Sequence, residues 1–259
     1  EAITGQIEQF LIKPVNPSQI FMACKQTLEQ IKLQEERATS DYLKEFQKID
    51  ARLRDNLNAD DWWELYNRLV DWQIKFDKYK DTGLGSILEE QITSCNHEFV
   101  HFIESNYEDW LKTENRPTLS IDIVPKYVQP ALDKGEKVCL LVVDCMRQDH
   151  FKSIMGLLEP YFNIQLDYNI SLLPTATPYS RNAIFCGLFP DEMVKKYPKQ
   201  GDDMKNDSSS LNQYEKQFII DQLKRKGLGD KRVHYHKIWA VDEGNKFQNK
   251  INDYMQQDV

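Results

Sequence analysis

The chain has 259 residues and a mass of 30.6 kDa, with 33 Lys and Arg against 41 Asp and Glu and a formal net charge of −8. That length allows one large domain or two to three small ones, and the acidic balance argues against a surface that coats nucleic acid, because such binding displaces phosphate counterions with many cationic side chains. No apolar run reaches the roughly 18–20 residues needed to cross a bilayer, and no basic segment followed by an apolar one opens the chain, so membrane insertion is not expected.

Five cysteines, Cys24, Cys95, Cys139, Cys145 and Cys186, form an odd set without a CxxC pair. They lie in apolar segments and read as reduced core thiols of a cytoplasmic protein, not as a disulfide framework. The sequence opens without Met and stops after Asp253-Tyr254-Met255-Gln256-Gln257-Asp258-Val259 with no element closed, so a longer natural protein is expected.

Residues 1–37 begin with a helix end near Ile7, followed by an apolar strand Phe10-Leu11-Ile12, then Lys13-Pro14-Val15-Asn16-Pro17 and a helix from Ser18. Asn16 or Ser18 can cap that helix, and Pro17 sits where a missing N–H costs nothing. A Lys-Pro dipeptide also serves as a plain strand exit. In its Phe-Leu-Ile-Lys-Pro setting, however, it resembles the end of a two-component receiver domain. That resemblance implies that Lys13 contacts a phosphoryl group on an aspartate not found here, and that Phe10 is the aromatic switch.

Residues 38–115 are expected to form a small antiparallel helical bundle. From Pro17 to Pro117 there is no proline, and only Gly83 and Gly85 interrupt the pattern. Leu43, Phe46, Ile49, Leu53 and Leu57 form one stripe, and Trp62, Leu65, Leu69, Trp72, Phe76 and Tyr79 form a second at three-four spacing. Asn58 caps the second helix, with Asp60 and Asp61 in its first turn. After Gly83-Leu84-Gly85, a last helix carries Ile87, Leu88, Ile92, Cys95, Phe99, Phe102 and Ile103.

From residue 116 to 259 the prolines return. Expected strands Leu119–Val124, Lys137–Asp144, Ile164–Tyr168 and Arg232–His236 alternate with helices Met146–Leu158, Ser180–Leu188 and Leu211–Lys226. This alternation predicts an α/β fold with a mostly parallel sheet covered by helices on both faces. Ligands in such folds bind beyond the carboxyl ends of strands, where Asp144 falls.

Asp144 ends the apolar run Val138-Cys139-Leu140-Leu141-Val142-Val143, and offers a hard oxygen of the kind zinc or manganese accepts. Thr177 precedes Pro178 and a helix. As N-cap it would lie beside unpaired N–H groups and the positive end of the helix dipole, both suited to a phosphoryl oxygen. A threonine hydroxyl is a poor nucleophile unless a cation stabilises its alkoxide. Thr175 is the rival, but it lacks the following proline.

An Asp ending a core strand, then Pro-Thr-Ala-Thr-Pro-Tyr-Ser-Arg at 174–181, then Gly187-Leu188-Phe189-Pro190 after a helix, resembles PglZ-type domains of the alkaline phosphatase superfamily. The resemblance implies that Asp144 is a zinc ligand and that Thr177 is both ligand and covalent nucleophile. Ser180, Arg181 and Asn182 would touch substrate. It also implies two zinc ions, yet the family's further Asp and His ligands have no counterparts before Val259 and are expected beyond it.

Two histidine patterns compete. His234-Tyr235-His236 places both imidazoles on one face of an expected strand, either as metal ligands or as an exposed edge beside Lys224-Arg225-Lys226 and Lys231-Arg232. That basic run is either a solvated helix end or a guide for an anionic substrate. His97-Glu98-Phe99-Val100-His101 matches the HExxH pattern of zinc proteases, with Glu98 as general base. Helical spacing nevertheless puts the pair on the charged face, with Phe99, Phe102 and Ile103 towards the bundle.

Receiver end, helical spacer and PglZ-type domain in this order resemble the PorX-like response regulators. What that implies is a two-component regulator with a zinc-dependent phosphodiesterase output acting on cyclic or linear oligonucleotides, tied to type IX secretion. Its implied partners are a sensor histidine kinase, a sigma factor and a second copy in a homodimer. The alternative is a non-catalytic docking module for a sensor kinase, sigma factor or secretion component.

Overall fold

The computed structural model describes residues 11, 13–77, 84–199, 213–238 and 240–259. Ile7, Phe10, Ile12, Tyr79, Gly83 and Leu211 lie outside the described residues. In chain order the α-helices are α1 (Pro17–Arg52), α2 (Ala59–Phe76), α3 (Leu84–Trp110), α4 (Gln129–Asp133), α5 (Gln148–Leu158), α6 (Ser180–Cys186), α7 (Pro190–Lys196), α8 (Glu215–Arg225), α9 (Val241–Asn249) and α10 (Ile251–Tyr254). Two compact units form, one from Glu1–Lys112 with Met146–Asn163 and the other from Thr113–Cys145 with Ile164–Val259. Among the described residues no helix is long and apolar enough to cross a membrane.

In the first unit, α1 starts at a capping box. Asn16 Oδ1 accepts the Gln19 N–H at 2.9 Å, and Gln19 Oε1 accepts the Asn16 N–H at 3.1 Å. Asn58 does the same for α2, accepting from Asp60 N–H at 2.9 Å and Asp61 N–H at 3.1 Å. The core joins Ile49 and Leu57 with Trp62, Leu65, Leu69 and Phe76 of α2 and Leu84, Leu88 and Cys95 of α3. Its centre is Tyr42 and not Leu43, which is exposed. Tyr42 donates to Gln91 Oε1 at 3.1 Å, and Gln91 Nε2 donates to the Phe46 carbonyl at 3.1 Å. The apolar core therefore holds a satisfied polar pair that sets α3 against α1. Burial pushes the Tyr42 hydroxyl up to about 12 and the Cys95 thiol up to about 11. α5 also belongs here. Lys152 Nζ meets Asp71 Oδ1 of α2 at 2.6 Å, and Gln148 Nε2 donates to Asn67 Oδ1 at 2.5 Å.

The second unit corrects the predicted fold class. The α/β architecture with a mostly parallel sheet is not seen: among the described residues the regular elements are helical, and Leu119 and Ile170 make an isolated parallel bridge. Residues 119–124 read as a strand because Leu119, Ile121 and Ile123 alternate, but Asp122 wins locally. Its carboxylate accepts the Leu119 N–H at 2.8 Å and its N–H donates to the Leu119 carbonyl at 2.9 Å, closing a tight turn over Ser120–Asp122. Pro125 then enters a wide helical turn, Val124–Val128.

Segment 137–144 shows why no sheet builds on it. Val138, Leu140 and Val142 pack on the core, whereas Leu141 is 76% and Val143 61% exposed. A parallel strand needs burial on both faces and neighbours for its N–H and C=O groups. Here Val138 N–H finds the Asp258 carbonyl at 2.9 Å, and residues 258–259 bond onward to Arg232 and His234. The core is built instead from Phe185 and Cys186 of α6, Met193 of α7 and Phe218, Ile219 and Leu223 of α8. Gly187 ends α6 with φ +58°, where an added Cβ would run into the Gln222 side-chain amide.

The thiols divide. Cys95 and Cys186 are buried as expected, but Cys24, Cys139 and Cys145 are exposed, because each falls on the outward side of its segment.

Candidate functional site

Two carboxylates and a tyrosine gather around Arg181, on the first turn of α6. Arg181 Nη1 donates to Asp144 Oδ2 at 2.9 Å, while its Nε lies 2.8 Å from Glu215 Oε1 and its Nη2 3.3 Å from Glu215 Oε2. Glu215 opens α8 and is fully buried. Tyr235 Oη donates to Glu215 Oε2. Burial and that carboxylate raise the Tyr235 hydroxyl, keeping it a donor at neutral pH. Burial lowers the Arg181 guanidinium, but Glu215 and Asp144 outweigh it and leave it raised. Burial holds the Lys237 ammonium below its ordinary value, with Glu215 opposing and Arg181 adding to the fall. Glu215 and Tyr235 thus fix one edge of the guanidinium in the interior. The Nη1 end points to Asp144, which is half exposed. A planar five-donor group held this way can present one N–H pair to a carboxylate or phosphoryl oxygen.

The other predicted residues fall elsewhere. Thr177 is not an N-cap: α6 starts at Ser180 behind Tyr179, and Thr177 lies half-buried in the preceding turn, its carbonyl accepting the Asn182 N–H at 3.2 Å. The turn of 176–179, with Ala176 accepting from both Tyr179 and Ser180, delays the helix beyond the Thr-Pro pair. Thr175 is exposed. Ser180 is buried, its hydroxyl 2.5 Å from Ser171 Oγ and 3.4 Å from Ser120 Oγ. Asn182 is buried and donates to the Pro178 carbonyl at 3.4 Å. Of this triplet, Arg181 is the residue joined to Asp144. Lys13 is exposed.

A PglZ family model, described as the BREX system PglZ alkaline phosphatase-like domain, matches residues 123–253, about half of the chain. The chain belongs to this PglZ family. A second model, the PorX response regulator linker domain, matches residues 32–111. The two matches make this a response-regulator-like protein with a phosphatase-like domain. No curated protein matches the chain significantly.

The zinc that the family resemblance implies can be tested against these donors. Asp144 suits a divalent cation, but its carboxylate is paired with Arg181, and no group of three or more His, Cys, Asp or Glu that could hold a metal ion occurs among the described residues. Glu215 is already engaged by Arg181 and Tyr235. The described residues alone do not fit a two-zinc centre.

Sequence reasoning missed Glu215, Tyr235 and Lys237. Glu215 shares the buried face of α8 with Phe218, Ile219, Gln222 and Leu223, so a carboxylate on an apolar helical stripe was the available signal. Tyr235 was hidden by its neighbours. Alternation turns it inward and leaves His234 and His236 outward, where His234 stacks on Tyr254 with ring centroids 3.9 Å apart and His236 packs against Phe247 at 5.2 Å. Those two histidines serve an aromatic cluster. His97 and His101 are exposed on α3.

Proposed function

We propose that the chain is the linker and part of the output domain of a cytoplasmic two-component response regulator. In this reading the PglZ-type domain cleaves a phosphodiester of a cyclic or linear oligonucleotide in the setting of type IX secretion. The observation that carries it is the Asp144–Arg181–Glu215 array inside the PglZ match. A buried carboxylate orients a permanently charged guanidinium towards an exposed position, where a phosphoryl oxygen could replace Asp144 as the partner of Nη1.

Thr177 is the proposed nucleophile. Its Oγ1 forms a bond to phosphorus and gives its proton to solvent while the P–O bond to the leaving nucleotide breaks; water then bonds to phosphorus, the Oγ1–P bond breaks and the Thr177 hydroxyl takes back a proton. The sensor histidine kinase, a sigma factor and a second copy of the chain are the proposed partners, with Lys13 and Phe10 as the receiver switch.

One observation favours a second reading. Asp144 is occupied by Arg181 and the described donors do not complete a metal site, as expected of a domain kept for docking a kinase, sigma factor or secretion component.

The deciding experiment is hydrolysis of a chromogenic phosphodiester by the full-length protein, with zinc and with chelator, for wild type, Thr177→Ala and Arg181→Ala. The enzymatic reading expects a loss of at least about 10²-fold in Thr177→Ala and a smaller loss in Arg181→Ala. Activity equal to wild type in Thr177→Ala removes the nucleophile assignment. An inactive wild type with zinc present moves the docking reading to the front, and the chelator arm decides the metal requirement.

A further inference from the structure

On α3, His97 Nε2 and His101 Nε2 lie 3.3 Å apart, with ring centroids 4.7 Å apart and the rings inclined at 78°. Two nitrogens bound to one tetrahedral zinc at about 2.0–2.1 Å each must lie about 3.3–3.4 Å from one another. The spacing already matches that of a shared cation. One turn of helix sets it, because residues four apart stack on one face.

The neighbouring carboxylate supplies the orientation. Glu104 Oε2 is 3.4 Å from His101 Nδ1, so the carboxylate lies at one ring nitrogen and His97 at the other. A metal-binding imidazole characteristically hands its other N–H to a carboxylate in this way. Both rings are solvent-exposed, so a cation reaches them without any opening of the bundle.

We propose that His97 and His101 form a two-imidazole binding site for a divalent transition metal ion, completed by water, on the outer face of α3. The cation binds between the two Nε2 atoms, each neutral imidazole offering its Nε2 lone pair and carrying its one ring proton on Nδ1. Imidazole ligands select zinc, copper and nickel over magnesium or calcium. The site is distinct from the HExxH chemistry of a protease. Among the described residues no third His, Cys, Asp or Glu joins the pair as a metal-holding group, so water completes the coordination. It is also independent of the reading of Asp144 and Thr177.

The test is a zinc chloride titration of the full chain followed by ¹⁵N NMR of the histidine rings. The expected result is that Nε2 of His97 and Nε2 of His101 shift together to metal-bound values while their Nδ1 positions remain protonated. In His101→Ala the shift at His97 should disappear, and in Glu104→Gln about tenfold more zinc should be needed. Asp144→Asn and His234→Ala should leave the paired shift intact. Unchanged far-UV circular dichroism in His101→Ala separates loss of a ligand from loss of the helix. Movement of only one of the two rings, or of neither at millimolar zinc, overturns the proposal.

Discussion

The bundle unit and the PglZ unit are held together in different ways. In the bundle, apolar stripes at helical spacing meet across α1, α2 and α3, and a deeply buried polar pair, Tyr42 with Gln91, is closed by the Phe46 carbonyl. The PglZ unit buries Ser120, Ser180, Asn182, Glu215 and Gln222 and stakes its interior on Arg181. The bundle's distant polar pair, 49 residues apart, is neutral and set in an apolar seam, whereas the second unit places a charged side chain between partners 34 and 37 residues away. Long-range polar partners are costly to lose because the group left behind stays buried.

The sharpest way to break this contrast is Glu215→Ala. It leaves the guanidinium of Arg181 with Asp144 alone and Tyr235 without its acceptor, and should cost about 3–5 kcal/mol, read as a lower midpoint in urea unfolding. A loss below about 1 kcal/mol would show that the array contributes little to the stability of the unit.

Next in size is Gly187→Ala. The left-handed φ of +58° and the approach to Gln222 together should cost about 1–3 kcal/mol, measured as a fall in Tm. A neutral result would mean that Gln222 swings clear and that the backbone leaves the left-handed region. In the bundle, Asn58→Ala removes the acceptor for two N–H groups at the start of α2 and should cost about 1 kcal/mol, with Asn58→Ser recovering most of it.

The smallest expected effect concerns acid. Burial, with His236 and Lys216 adding to it, lowers His234 from its usual 6.5. A histidine with a depressed folded-state value binds fewer protons folded than unfolded. Its contribution is therefore complete above pH 6.5 and is lost as pH falls through the folded value. The protection of segment 241–254 against hydrogen exchange, after division by the intrinsic exchange rate at each pH, should be lower at pH 5 than at pH 7.5 in wild type and respond less in His234→Phe. Equal responses would remove His234 as the cause.

Legibility in the sequence followed the same division. The Asn58 cap and the α2 stripe could be read directly, and Asn16 was one of two candidates with Ser18, since caps and stripes depend on residues within one or two turns. Leu43 and Tyr42 show the limit of that method, as adjacent positions border the same stripe and packing chooses between them. In the PglZ unit, the alternation of Leu119, Ile121 and Ile123 suggested a strand, but the Asp122 carboxylate made a turn. Strand pairing is a non-local choice that one segment does not specify.

The site divides likewise. The linear motifs around Asp144 and 174–181 pointed to the family, and Arg181 was named with them. Its holders Glu215 and Tyr235 were not.

By itself the sequence determined the family, the bundle and its caps, because these rest on local pattern and motif. Only the tertiary structure decided that Arg181 is clamped between Asp144 and Glu215, that Ser180 and Asn182 turn inward, and that helices rather than a sheet carry the described core. The clamp on Arg181 depends on which distant groups satisfy a buried charge, and the others on which near or distant group satisfies a hydroxyl, amide or backbone N–H, all of it settled by packing in three dimensions.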